Sequence, residues 1–293
     1  MVSPLRLGSF NLLSGRSLAD GTIERARLVE SIDLLDVDLL AVQEVDRFQE
    51  RSGGVDQAAV IATTLGAVSS QFVATVQGTP GVAGWMPAGT SSDRAGGTSS
   101  DRAGVTDLSG VADLAGGTDV SGGTALSGPA QYGVALISRL PVAEWHVLRL
   151  AEAPGRFPLL IQSHPRRVLW VNDEPRAVIA AVLERPRITI ACTHLSFVPF
   201  SNVRQLRVVR RWLAQFPGPH LLLGDLNLPG SAARRITRWT PLVSSPTYPS
   251  PAPKLQLDHV LASGLPLGTR SEGRVQRLPI SDHRAVLVDL HLP

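Results

Sequence analysis

The sequence predicts an α/β fold. Three observations carry this: short, almost wholly apolar runs of strand length that end in polar residues; segments of helical periodicity between those runs; and a length of 293 residues, which one large α/β unit can fill. We expect a single domain over 1–293, with a low-complexity repeat insertion at about 78–129.

Residues 5–11 alternate as a strand that ends on Asn11. Between 22 and 35, Ile23, Leu28, Ile32 and Leu35 fall near helical spacing, with Asp20 or Thr22 as cap, and this helix should cover a sheet. The run 38–42 is a second buried strand leading into Gln43-Glu44-Val45-Asp46. Residues 56–65 read as a helix and 71–76 as a strand. From 78 to 129 an eight-residue repeat occurs twice, at 89–96 and 97–104, and four six-residue units follow. So much Gly, Ser, Thr and Asp buries too little apolar surface to offset ordering entropy, so a flexible surface insertion is expected; stacking as a β-solenoid is the weaker option.

Strands resume at 131–139, where Tyr132 and Arg139 either face a ligand or, for Tyr132, wall the core. Two strands lie in 166–183 around the turn 172–175, with Arg176 opening the second. The strand 188–192 ends on Thr193-His194-Leu195, the helix 202–216 follows, and the run 220–227 presents Asp225 and Asn227. Five prolines in 241–254 suggest an extended surface loop. The segment 255–261 is read as a strand with Asp258 in its middle, and 283–290 as the last strand, introduced by Asp282 and His283.

A formal charge of +3 announces no nucleic-acid partner by itself. Arg204, Arg207, Arg210 and Arg211 crowd one helix and Arg234, Arg235 and Arg238 the next; a solvated face is the ordinary explanation of such runs. No apolar run nears the ~18 residues of a membrane helix. The lone Cys192 forbids an internal disulfide, and no signal-like apolar region follows Met1, so we expect a cytoplasmic monomer.

Each polar strand end has a bland reading. Asp225, Asn227, Asn11 and Asp282 are ordinary turn formers, Glu44 could pair with Arg47 or Arg51, and a lone His194 is usually structural. Six such ends in one chain change the odds. Hard oxygen ligands without a thiolate cluster suit Mg²⁺ or Mn²⁺ rather than Zn²⁺. Glu44, with Asn11 and Asp282, would hold the metal. Asp225 would deprotonate water, Asn227 would donate to phosphate or to Asp225, and His194 and His283 would meet charge on phosphorus, with Asp258 orienting His283. Tyr132 and Arg176 complete the candidate set as substrate-binding residues.

The ordered series Phe10-Asn11, Gln43-Glu44-Val45-Asp46, residues 132–136, Thr193-His194-Leu195, Gly224-Asp225-Leu226-Asn227, Leu257-Asp258-His259-Val260 and Ser281-Asp282-His283 resembles the endonuclease/exonuclease/phosphatase superfamily, with its DNase I-like fold. The resemblance implies a four-layer α/β/β/α sandwich of two mixed β-sheets with a metal site at one edge. It implies the same roles, with either Asp225 or the Asp258–His283 pair as base. The expected activity is that of a Mg²⁺-dependent phosphodiesterase, a nuclease by family prior. A phosphatase or sphingomyelinase-like lipid phosphodiesterase is the alternative, and a silent binding scaffold ranks third. Val45-Asp46 after Gln43-Glu44 is less like the abasic-site repair endonucleases.

Overall fold

The computed structural model of the chain describes residues 3–80, 84–88, 128–161 and 167–293. The octapeptide repeats, and with them most of the expected insertion, lie outside the described residues. In chain order the elements are β1 (Leu5–Asn11), α1 (Arg25–Asp33), β2 (Leu39–Arg47), α2 (Gln57–Leu65), β3 (Ser69–Gln77), β4 (Met86–Pro87) and β5 (Gln131–Ser138). Then come β6 (Val142–Leu150), β7 (Arg156–Ile161), β8 (Arg167–Asn172), β9 (Arg176–Leu183), β10 (Thr189–His194) and α3 (Ser201–Leu213). The chain closes with β11 (His220–Asp225), α4 (Ala232–Thr237), β12 (Thr240–Pro241), β13 (Asp258–Ser263), β14 (Arg270–Gln276) and β15 (Ala285–His291).

The strands form a seven-stranded sheet, β14-β15-β1-β2-β5-β3-β4, a six-stranded sheet, β12-β13-β11-β10-β9-β6, and a separate ribbon, β7-β8. Both large sheets are mixed, because β1 runs parallel to β2 and β10 parallel to β11 among antiparallel neighbours.

Side-chain alternation explains why the strands read as unbroken apolar runs. Leu39 and Ala41 of β2 enter a core between the sheets, where Ile190, Cys192, Leu221 and Leu223 come from the other side. Leu40 and Val42, one residue out of step, instead meet Leu28 and Ile32 of α1 and Ile61 of α2. Leu222 likewise turns away from Leu221 to meet Leu206, Val209 and Leu213 of α3. Strands buried on both faces have no polar face to show. Three apolar cores between four layers make the α/β/β/α sandwich, each buried leucine contributing ~1.5–3 kcal/mol. None of the described helices is long and apolar enough to cross a membrane.

Several expectations need correction. Neither Asp20 nor Thr22 caps α1: its N-cap is Glu24 without a side-chain bond, while Asp20 accepts from Thr22 and Arg27. Asp56 does cap α2, accepting from Ala59 N at 3.1 Å. Asp258 opens β13 rather than lying mid-strand, because Leu255–Leu257 is held off the sheet by Thr247, whose hydroxyl accepts from Leu257 N and Asp258 N. The proline-rich loop is not merely superficial, since Thr247 and Ser250 are buried. Arg139 bonds Leu65 O and Asp36 at the far end of β5, away from the polar strand ends. The edge strands β6 and β14 escaped the sequence reading. Their exposed, polar-rich faces carry no period, and backbone pairing alone defines them.

Candidate active site

Topology brings the polar residues together. In the first sheet the C-terminal ends of the parallel β1 and β2 share one edge with the starts of the antiparallel β5 and β15; Asn11 pairs beside Gln43. In the second sheet His194, Asp225 and Asp258 lie side by side across β10, β11 and β13. Gly224 makes this register attainable. Its φ is +150°, and a Cβ there would lie 1.9 Å from Thr193 O.

Glu44 does not sit where β2 emerges. It occupies a bulge inside the strand, where the register to β5 slips between Val42 and Val45, and its φ of 57° is left-handed. A bulge re-aims one side chain without ending the strand. The arginine explanation fails as well: Arg47 pairs with Asp56 and Arg51 with Asp46. Glu44 instead accepts from Asn11 Nδ2 at 2.9 Å, and the same nitrogen donates to Asp225 Oδ2 at 3.1 Å. One amide thus ties the edges of both sheets. Asn11 Oδ1 accepts from Leu13 N at 3.1 Å.

Asp225 serves two purposes. Its Oδ1 accepts from Asn227 N at 2.9 Å, the ordinary turn its sequence suggested. Its Oδ2 faces inward, 3.6 Å from His194 Nε2 and 3.8 Å from His283 Nε2. His283 Nδ1 lies 2.8 Å from Asp258 Oδ2. Asn227 Nδ2 lies 3.2 Å from His194 Nε2 and donates to Leu195 O at 3.0 Å. Asn227 and Ser281, the latter just before Asp282, also hold positive φ, 48° and 75°. Left-handed backbone at three non-glycine positions here, Glu44 included, is the kind of strain that clusters at functional sites.

Burial dominates the electrostatics. It raises Glu44 to about 7, helped by the charge of Asp282 and opposed by the Asn11 bond. Burial and the Asp258 charge raise Asp225 to about 6. Burial opposes protonation of His283, but Asp258, then Asp225 and Asp282, outweigh it and push the ring up to about 10. Burial, then the charges of Arg176 and His283, hold His194 well below 6.5. Tyr132 and Arg176 are both buried, and Tyr132 pairs across the strands with Asp46, two residues beyond Glu44. Arg176 lies 3.6 Å from Asp173, and Arg51 stands over the Tyr132 ring.

Sequence reasoning missed Tyr248. Its ring centroid is 4.9 Å from that of His283, tilted by 44°, and its hydroxyl is raised by burial and by the charges of Asp282, Asp225 and Glu44. No period in the proline-rich loop singled it out.

Two sets of ligands could accept a cation. Asp225, Asp258 and His283 offer ligand atoms within 4.8 Å of one another. Glu44 and Asp282 form the other set, and it fits a metal better. Both carboxylates are half-buried and raised by desolvation, so each is destabilised as an anion. Among the described residues Asp282 Oδ1 is buried without a hydrogen-bond partner, as is Asp258 Oδ1 of the first set. In the first set the imidazole is already engaged by Asp258 and favours its proton, which a cation would have to displace.

A sequence model of the endonuclease/exonuclease/phosphatase family matches residues 8–283. The chain belongs to this family. Members of the endonuclease/exonuclease/phosphatase family hydrolyse phosphoester bonds and use divalent metals. No curated protein sequence matches the chain. Among solved structures, a family protein from Leptotrichia buccalis is similar at 13% identity and TM-score 0.55, covering 98% of this chain and 100% of that one. A functionally unknown conserved protein from Enterococcus faecalis V583 is similar at 12% identity and TM-score 0.56, over 98% and 100%. The human Nocturnin catalytic domain with bound sulfate anion is similar at 15% identity and TM-score 0.53, over 100% and 97%. At these identities the likeness is one of fold, and it agrees with the four layers.

Proposed function

We propose that this chain is a Mg²⁺-dependent phosphodiesterase, a nuclease in the first instance, folded as one domain. The observation that carries the reading is the bridge from Asn11 Nδ2 to both Glu44 and Asp225, which draws acids from the two sheets into one pocket with the Asp258–His283 pair. Glu44 and Asp282 would hold the cation. Bound there, Mg²⁺ or Mn²⁺ would polarise a phosphoryl oxygen and offset developing negative charge.

The remaining steps belong to the chain's own side chains. Asp225 is fixed through Oδ1 by Asn227 N, leaving Oδ2 to accept the proton of the attacking water. A carboxylate raised to about 6 is a stronger base than a free one and is still mostly ionised at pH 7. Asp258 aims His283, whose ring holds both protons and so donates to a phosphoryl oxygen rather than acting as the base. Neutral His194 supplies a single N–H. Tyr132 and Arg176 flank the substrate on the Glu44 side.

The deciding assay sets purified protein with Mg²⁺, Mn²⁺ or EDTA against DNA, RNA, a small chromogenic diester and phospholipid head groups. Glu44→Gln and Asp225→Asn should each abolish turnover with an unchanged circular dichroism spectrum. Undiminished turnover in both variants would overturn the assignment. Preference for head groups over nucleic acid would transfer it to a lipid.

A further inference from the structure

The charge of this chain is not spread evenly. Between 195 and 257 there are eight basic residues and one acid, Asp225, whereas the rest of the chain holds twenty basic and twenty-four acidic residues. The basic stretch comprises α3, β11, α4 and the proline-rich loop, so the imbalance belongs to the elements in and around the β11–β13 part of the second sheet. A cleft of ≈ 590 Å³ is lined by Pro229, two residues beyond Asn227, and by Gln256 and His259, on either side of Asp258. Its walls continue the two strand ends that carry Asp225 and Asp258: Leu226 N donates to Leu257 O, and Gly230 N to Gln256 O.

Arg234, Arg235 and Lys254, the only lysine of the chain, line this cleft, and no Asp or Glu does. All three cations are exposed, and none is paired with an acid among the described residues. The slightly larger depression along α1, ≈ 630 Å³, sets Arg25 against Glu30 and Asp33 and so has no comparable bias. Three unpaired cations around a concavity attract phosphates.

We propose that this cleft binds the phosphates next to the scissile one, and that the substrate is therefore a single-stranded nucleic acid. The proposal deepens the phosphodiesterase reading and rests on it. A cleft walled on both sides, by α4 and by the proline-rich loop, admits one strand more readily than a duplex. Leu255 and Pro246 give bases or riboses an apolar wall. A bilayer is a poor fit, because Leu255 is the only large exposed apolar side chain among the lining residues. A positively charged groove that tracks the backbone, with apolar contacts to bases, is how single strands are held without sequence preference.

The test compares the full chain with the triple variant Arg234→Ser/Arg235→Ser/Lys254→Ser and with the control Arg204→Ser/Arg207→Ser/Arg211→Ser on α3. Binding of a fluorescein-labelled single-stranded oligonucleotide is followed by anisotropy in EDTA across a salt series, so no hydrolysis is needed. Removing three phosphate contacts should lower the slope of log K against log salt by about 2 and weaken binding roughly tenfold at low salt. Hydrolysis of a small chromogenic diester with Mg²⁺ should be unchanged in the cleft variant.

An equal slope in wild type and cleft variant overturns the proposal. So does an equal loss in the α3 control, which would mean diffuse attraction, and so does wild-type binding to anionic vesicles in place of the oligonucleotide. If the wild type leaves the small diester intact, the hydrolase reading fails, and the anisotropy series still judges the cleft.

Discussion

His283 stands 2.8 Å from Asp258 Oδ2 through Nδ1, and this contact turns Nε2 toward Asp225 Oδ2, 3.8 Å away. The pair is buried and lies at the start of β13 and just before β15, so each sheet contributes one member. Asp258→Asn keeps the shape and removes the charge that orients the ring. We expect kcat to fall by ~10²–10⁴-fold with little change in KM. A variant retaining more than half the wild-type kcat would contradict the assigned role.

Tyr248 packs on the other side of the same ring, with centroids 4.9 Å apart. Such a contact is worth ~0.5–1.5 kcal/mol beyond burial. Tyr248→Ala should therefore lower kcat by roughly 2- to 10-fold through misplacement of His283, while Tyr248→Phe should restore it. If Phe is as damaging as Ala, the hydroxyl matters rather than the ring, and a direct contact with substrate becomes the better account.

Gly224 holds β11 against β10 where His194 and Asp225 pair. A methyl group there would collide with Thr193 O in a backbone conformation side chains avoid. Gly224→Ala should destabilise the fold by at least ~1–3 kcal/mol, read from the urea midpoint, and reduce turnover as well. An unshifted midpoint would show that the strands tolerate separation.

His259 is buried, and its Nε2 lies 2.8 Å from Leu228 O. Burial lowers it below 6.5, with the Leu228 bond and the Asp258 charge opposing, so the folded ring stays neutral where the unfolded one takes up a proton. Stability from this group is full above pH 6.5 and declines as pH falls below it. Metal-free Glu44 and Asp225, raised by burial, act in the opposite sense: their contribution is present at low pH and lost as pH climbs through about 7 and about 6. The wild-type minus His259→Gln difference in unfolding free energy isolates the histidine and should shrink between pH 6.5 and 5. A difference that does not vary over that interval would rule the mechanism out.

The sequence alone determined the family and the α/β class, and it singled out polar residues that the structure gathers at neighbouring strand ends. Leu222 between Leu221 and Leu223 is apolar because both faces of β11 are covered, and Asp225 follows at once because the strand must end in something polar. Such patterns are local, so order along the chain was enough to read them. Tertiary structure decided what depends on neighbours distant in sequence. Glu44 lies in a bulge rather than at a strand end, a matter of register against β5. Tyr248 reaches His283 from a loop without periodicity. The edge strands β6 and β14 exist only through backbone pairing, which leaves no mark on side-chain pattern. The basic residues of α3 and α4 read singly as solvated faces; only the packing of α4 beside the loop that carries Lys254 gathers three of the chain's cations around one cleft.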